Sequence, residues 1–543
     1  MTRTEGREHD RGSVPEMDIS TRPPQGRSGP LCRRVKFSGR PAEPKMHRTS
    51  TAQGRGRQDV TARPGKKHRT KESRQPSQDH RPFLARARSK RLRLVDKQPA
   101  QREDEATRPR ASRKRYYVPV KLKFVISTSV AVLWLLLSLY LAQPWLEDLS
   151  LVVGRVPAIL IIALIALIPG FLNAHILTSV LLDAPPPLPK DQPLPPVSLL
   201  IAAYNEADNI AETFRGIRGQ DYPSEIEIVV VDDGSTDSTR EILASLGHPH
   251  LKVVEADHGG KANALNEGLK HVSNDIVVCI DADTYLHPQA IRRIVTRLLA
   301  DPPHTAAVAG CVLAKNSRDS FMAKLQEWDY FTGIASAKRQ QSLYQGTLVA
   351  QGAFSAFRTE LIRRIQGWPP VIGEDIVLTW ALLKEGWRIG FEPTAVGFTK
   401  VPTTFKGFFR QRKRWARGMI EGLKKYGIAV LRTSPMPGFF IGVDFIIPFL
   451  DFAYTFAFLP GIVLALTGRY YIVGPTTLLV LPIALLIVVL LFFKQKRVFE
   501  TLGLKVRRNF LGFFFYMLIY QAIMSPICVV GYLQEVGGMA KRW

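Results

Sequence analysis

Five apolar runs constrain this chain more than any other feature. They fall at about Leu122–Ala142, Val156–Leu182, Phe439–Leu466, Ile472–Phe493 and Phe510–Tyr532. Each is long enough to cross about 30 Å of hydrocarbon as a helix. In lipid the backbone must satisfy its own polar groups, so such runs have little choice but to be helical. The chain is thus divided into two spans, a long polar interval and three further spans. Basic residues precede the first run, and Glu147 and Asp148 follow it, which orients the N-terminus inward. With five crossings, the connection bearing Lys494, Lys496, Arg497, Lys505, Arg507 and Arg508 also lies inside. Both charge readings predict a multi-pass protein of the inner (plasma) membrane. Its N-terminus and polar interval would be cytoplasmic, and Lys541-Arg542-Trp543 would be outside.

The formal net charge of +27 belongs mostly to the N-terminus. Residues 1–120 hold 32 Lys and Arg against 13 Asp and Glu, so about +19 of that charge lies there. The rest of the chain is only mildly basic, so the charge does not argue for a nucleic-acid partner. Residues 1–115 are rich in Arg, Pro, Ser, Gly and Thr, and bury too little apolar surface to offset ordering entropy. They are expected to form a disordered basic cytoplasmic tail. The tail either rests on anionic membrane lipid or docks a partner, such as an accessory export or regulatory protein, or an acidic polymer. Within it, Arg81–Arg93 has the composition of a short membrane-surface helix. The four cysteines, Cys32, Cys279, Cys311 and Cys528, are scattered and have neither disulfide nor zinc spacing.

Residues 116–183 are assigned to the first two membrane helices and 437–535 to the last three. A proline-rich linker, Pro185 to Pro196, leads into an α/β region over 196–430, with interfacial helices at its C-terminal end. Apolar strands are predicted at Val197–Ala202, Ile226–Val231, Leu251–Val254 and Ile276–Ile280, alternating with helices. This pattern implies a parallel sheet covered on both faces, with ligands at the carboxyl ends of the strands.

Acidic motifs stand at those ends. Ala203-Tyr204-Asn205-Glu206 closes the first strand, and Asp232-Asp233-Gly234-Ser235-Thr236-Asp237 closes the second. Glu206, Asp232 and Asp233 can accept hydrogen bonds from a base N–H or ribose hydroxyls, although the same residues are also ordinary turn and capping chemistry. Lys261 opens a helix after Gly259-Gly260 and suits a diphosphate; standing alone it would read as a surface lysine. Asp281-Ala282-Asp283 follows an apolar strand, and two carboxylates one residue apart can hold a hard divalent cation, Mg²⁺ or Mn²⁺. Glu374-Asp375 opens a further helix. Either this pair matches the helix dipole, or Asp375 is a general base for a hydroxyl. Gln411-Arg412-Lys413-Arg414-Trp415 lies in a basic, aromatic helical stretch, Phe405–Tyr426, which also suits a lipid surface. Asp444 and Asp451, seven residues apart in the third run, share a helix face. They are expected to line the polymer path, unless Asp444 sits at the membrane interface and Asp451 pairs within the helix bundle.

In this order and spacing, the motifs resemble the family-2 processive glycosyltransferases: the cellulose, hyaluronan, chitin-oligosaccharide and poly-N-acetylglucosamine synthases. The resemblance covers roughly residues 120–540. It implies an α/β GT-A (Rossmann-like) domain inserted between transmembrane helices that form a polymer channel. It also implies roles by position. Glu206, Asp232, Asp233, Lys261 and Asp281 would bind the nucleotide-sugar, and Asp283 the metal. Asp375, with Glu374, would be catalytic. Gln411, Arg414, Trp415, Gln351 and Gly352 would meet the acceptor and diphosphate.

The arrangement of spans and Val401-Pro402-Thr403-Thr404 are similar to the biofilm poly-β-1,6-N-acetylglucosamine synthases, which implies a UDP-N-acetylglucosamine donor. Two departures stand out. Gly373 replaces the Thr that many relatives have before Glu-Asp, and Arg414-Trp415-Ala416-Arg417-Gly418-Met419 looks more like cellulose synthase. A cellulose- or hyaluronan-like synthase, using UDP-glucose or alternating sugars, and a non-processive transferase to a lipid carrier are the alternatives. A non-catalytic assembly subunit is disfavoured by the intact acidic set.

Overall fold

The computed structural model describes residues 118–540 apart from 434, 475, 476, 478 and 479. The expected disordered tail, its Arg81–Arg93 helix, Cys32 and the terminal Lys541-Arg542-Trp543 lie outside the described residues.

Two long helices precede the α/β region, α1 (Val120–Leu141) and α2 (Arg155–Leu182), with a short helix over Gln143–Val153 between them. The region itself contains β1 (Val197–Ala203), β2 (Ile226–Asp232), β3 (Leu251–Glu255), α3 (Lys261–Leu269), β4 (Ile276–Asp281), β5 (Tyr285–Leu286) and β6 (Thr305–Ala314). Next come α4 (Phe321–Trp328), a wider turn of helix over Asp329–Ile334, α5 (Ala335–Leu343), β7 (Phe354–Arg358), α6 (Glu374–Lys384), β8 (Arg388–Thr399) and α7 (Phe405–Gly422). The last described elements are α8 (Pro435–Leu466), α9 (Val480–Thr501) and α10 (Phe510–Val536).

The strands form one sheet in the order β3-β2-β1-β4-β7-β6-β8-β5. Its first half is parallel, as the βα alternation predicts: β1 pairs β2 and β4, and β2 pairs β3. The second half corrects the all-parallel expectation. β7 runs antiparallel to both β4 and β6, whereas β6 and β8 are parallel. α4 and α5 return the chain to the far end of the sheet, and β7 enters it from there through the Gln351-Gly352-Ala353 loop. Antiparallel register sets Ile280 opposite Phe354, so the loop lies against Asp281, whose N–H donates to the Ala353 carbonyl at 3.4 Å. Val229, Val231, Leu200 and Val277 pack one face of the sheet against α3 and α6. Ile201, Val230, Val278 and Ile280 pack the other.

Among the described residues four helices are long and apolar enough to cross a membrane: α1, α2, α8 and α10. The run expected at Ile472–Phe493 is shifted. Its helix is α9, which carries Lys494, Lys496 and Arg497 within it rather than in a loop. That basic end is held by the end of α2, where Lys494 donates to the Asp183 carbonyl at 2.6 Å, and by the α/β region, where Phe499 packs on Phe331. Asp451 does not face an open path. It accepts from Ser525 Oγ at 2.6 Å and from Tyr532 OH at 2.8 Å, which ties α8 to α10 and matches the bundle alternative.

Candidate active site

The carboxyl ends of β1, β2, β4 and β8 converge with the start of α6, and the acidic motifs meet there. β4 ends in Asp281, whose carboxylate is salt-bridged to the Lys261 ammonium. Lys261 Nζ also lies 3.8 Å from Glu374 Oε1. Gly352 closes the third side. A Cβ built there would stand 2.6 Å from Lys261 Nζ, so only glycine leaves the lysine its place. Asp375 Oδ2 accepts from the Gly352 N–H at 3.4 Å. Lys261, Asp281, Gly352, Glu374 and Asp375 therefore form one cluster from four separate segments.

Charge follows from this packing. Burial alone would weaken the Lys261 ammonium, but Asp281 and Glu374 hold it above the ordinary lysine range. Burial, and then the neighbouring Asp375, push Glu374 up to about 7, against the pull of Lys261 and Arg414. Arg414 is itself exposed, so it lies at the open edge of the cluster. Burial and then Asp281 raise Asp283, which accepts from Thr399 Oγ1 at 3.0 Å. Glu206 is raised mainly by burial, and further by Asp283 and Asp281, while its Oε2 accepts from Asn209 at 2.6 Å. The neighbouring carboxylates thus raise the proton affinity of Asp283 and Glu206, which a cation would relieve.

The donors fit a divalent cation in a limited way. Among the described residues no group of three or more His, Cys, Asp or Glu side chains forms a cage. A hard cation needs only one or two carboxylates when a diphosphate supplies further oxygens. Asp283 is available for this, whereas Asp281 is already paired to Lys261.

Asp232 and Asp233 are turned inward. Asp232 is bound by Arg240 at 3.1 Å and by the Ser235 N–H at 3.1 Å. Asp233 accepts from the Gly259 and Gly260 N–H groups at 2.9 Å, and its Oδ2 lies 3.0 Å from His258 Nδ1. It thereby fixes the turn that presents Lys261. Gly234 between the two loops has φ +73°, as the tight turn requires.

The Gln411 motif lies on α7, whose start is capped by Thr404 Oγ1 accepting from the Gly407 N–H at 3.2 Å. α7 reaches α6 through glycines. A Cβ on Gly373 would stand 2.6 Å from Gly418 Cα, and the Gly373 N–H donates to Glu421 at 2.9 Å. Gly373, one departure from the family pattern, therefore touches Gly418 in the Arg414–Met419 stretch, the other. Trp415 is 36% exposed. One face is covered by the Arg412 guanidinium, 4.2 Å from the ring centre, and Arg412 pairs with Asp329 at 2.8 Å. Gln411 is partly buried, with Oε1 unpartnered among the described residues. Gln351 points back into the fold and donates to the Gly310 carbonyl at 2.6 Å.

Sequence reasoning overlooked Lys338 and gave Arg412 no role. The spacing of Arg412 to Trp415, one helical turn, was the available signal for the second. Lys338 left none, because its neighbours are distant in sequence.

Residues 198–366, which carry β1 to β7, match Glycosyl transferase family 2: they form a glycosyltransferase domain with a mixed, GT-A-like sheet, and apolar helices flank the α/β region. Over 257 residues the chain is 33% identical to the poly-β-1,6-N-acetyl-D-glucosamine synthase of Staphylococcus aureus strain MSSA476, covering 47% of this chain and 62% of that one. It is 34% identical over 243 residues to the synthase of the same name from Staphylococcus epidermidis, covering 44% and 58%. The match thus spans about three fifths of each relative. Among solved structures, the mannosyltransferase PcManGT of Pyrobaculum calidifontis, in complex with GDP-Man and Mn²⁺, aligns with 78% of this chain and all of its own. Its identity is 20% and its TM-score 0.43, a likeness too slight to bear on function.

Proposed function

We propose that this chain is a membrane-embedded, processive, inverting β-glycosyltransferase. It extends a polysaccharide from UDP-N-acetylglucosamine and passes the chain outward through its own helices. The observation that carries the reading is the cluster of Lys261, Asp281, Gly352, Glu374 and Asp375 at the ends of the parallel strands. The staphylococcal synthases, named for poly-β-1,6-N-acetyl-D-glucosamine, support the choice of sugar; the product of this reading is an extracellular, biofilm-type polysaccharide.

In this reading the nucleotide lies between Glu206 and the loops that Asp232 and Asp233 hold. Lys261 and Arg414 meet the diphosphate, so Lys261 exchanges Asp281 for phosphate oxygens. A divalent cation at Asp283 would neutralise the diphosphate as it leaves. Asp375 takes the proton of the acceptor hydroxyl as that oxygen bonds to the anomeric carbon and the bond to UDP breaks on the opposite face. Gln351, Gly352, Gln411 and Trp415 border the acceptor sugar, with the uncovered face of Trp415 as its platform. Five membrane crossings with a cytoplasmic N-terminus and catalytic domain put donor and site on the same side.

The test is incorporation of labelled sugar into polymer by membranes containing the protein. Each UDP-sugar is offered separately, with Mg²⁺ or Mn²⁺, with chelator, and beside Asp375→Asn. High-mass product from UDP-N-acetylglucosamine is expected, lost with chelator and in the variant. Product from UDP-glucose alone would change the polymer and keep the mechanism. Product confined to lipid would replace processivity with transfer to a carrier.

A further inference from the structure

Lys338 sits on α5 with 8% of its surface exposed, yet among the described residues no carboxylate lies within ion-pair distance. A buried ammonium without a counter-ion is costly, so its position calls for a reason. Its bond is to the backbone: Nζ donates to the Val349 carbonyl at 2.6 Å. Val349 belongs to the segment that runs from α5 to Gly352, and hydrogen bonds tie that segment at several points. The Leu348 N–H donates to Gln341 on α5 at 3.1 Å, and its carbonyl accepts from Trp380 on α6 at 3.0 Å. The Ala350 N–H donates to Thr379 at 2.9 Å, Gln351 holds the Gly310 carbonyl, and the Gly352 N–H meets Asp375. Asp375, Thr379 and Trp380 all lie on α6, so the helix that bears Asp375 also grips this segment. Lys338 on α5 adds a charged tether to the same segment.

We infer that Lys338 is a positioning residue for sugar transfer: by clamping the Val349 carbonyl it sets where Leu348–Gly352 stands against Asp375. The inference rests on the reading of Asp375 as the base. The groups facing the ammonium are Asp375 on α6 and the Cys311 thiol on β6. Burial lowers it to about 8 despite both. The ammonium therefore discharges within the range where such an enzyme is assayed, and the clamp weakens as pH rises through about 8.

The experiment compares the full-length protein with Lys338→Met and Lys338→Arg. Removing a buried unpaired charge with little change in volume keeps the fold at least as stable, so the Met variant should melt no lower than wild type. Its amides from Leu348 to Gly352 should nevertheless exchange hydrogen about tenfold faster or more, the scale of one lost charged hydrogen bond. Polymer formation should fall by a similar factor, while UDP affinity stays within about twofold. The Arg variant should restore the clamp and most of the rate at neutral pH, and abolish the alkaline decline near pH 8. Protected amides and wild-type transfer in Lys338→Met would overturn the inference, as would an unchanged alkaline limb in Lys338→Arg. Exchange and UDP binding do not need turnover. Faster exchange in an inactive wild-type background would therefore keep the clamp and instead refute the polymerase reading.

Discussion

Glu374→Gln offers a test in which the sign of the pH dependence is decisive. The Glu374 carboxyl is 12% exposed and lies beside both Asp375 and Lys261, with its pKa raised from the ordinary 4.5 to about 7. The folded chain therefore keeps a proton that the unfolded chain releases above about pH 4.5. Stability falls as pH rises from there through 7, because ionising Glu374 costs more in the fold than in water. A rise from 4.5 to about 7 corresponds to about 3 kcal/mol once pH exceeds 7, and to less than about 1 kcal/mol at pH 5. Gln has nearly the shape of the protonated acid and removes that penalty, but it also takes a counter-ion from Lys261, which offsets part of the gain. The net stabilisation should be about 2 kcal/mol larger at pH 8 than at pH 5. In tryptophan-monitored thermal unfolding of the solubilised protein, this is a midpoint rise of roughly 2 °C at pH 8 and little change at pH 5. Equal shifts at both pH values, or a loss at pH 8, would show that Glu374 is ionised at little cost. The burial argument would then be wrong.

Three further outcomes follow from the same contacts. Gly352→Ala puts a Cβ 2.6 Å from Lys261 Nζ, the movable end of a flexible side chain. The fold should survive and UDP affinity by calorimetry should drop about tenfold, about the worth of one charged hydrogen bond; unchanged affinity would remove Lys261 from the diphosphate site. Arg412→Met leaves Asp329 buried without its partner and should cost about 3–5 kcal/mol in unfolding experiments, largely recovered by adding Asp329→Asn. Asp451→Asn weakens the bonds from Ser525 and Tyr532 and should cost about 1–3 kcal/mol while polymer length stays normal. Shortened polymer from an equally stable variant would return Asp451 to the translocation path.

The parallel half of the sheet was legible because each strand is an apolar run ending in a polar turn, a pattern local in sequence. Ile226–Asp232 and Ile276–Asp281 fall within a residue of their predicted bounds for that reason. β7 was not read because it is a five-residue strand whose direction depends on its neighbours in the sheet and not on its own composition. α9 was displaced for a related reason. Hydropathy locates the apolar run, but Lys494 and Gln495 extend the helix because Asp183 and Cys311 offer them partners from elsewhere in the chain.

The site divides along the same line. Residue types identified Lys261, Asp281 and Glu374 as candidates, since charges at strand ends and helix starts need a purpose. Their distances came only from the fold, through the antiparallel pairing that carries Gly352 to Asp281. Asp232 and Asp233 show the opposite case. Both are singled out as ligand contacts, and in the fold their carboxylates also hold Arg240 and the turn before Lys261. A carboxylate at a strand end is equally suited to a ligand or to the loop that builds the ligand's site, and sequence does not separate the two. Lys338 completes the contrast. It lies among polar residues on an unremarkable helix, in Ala335-Ser336-Ala337-Lys338-Arg339-Gln340, and only burial beneath the Leu348–Gly352 segment gives its charge a task. Residues that touch the chemistry announce themselves by type and spacing, whereas those that hold the chemistry in place are defined by long-range contacts.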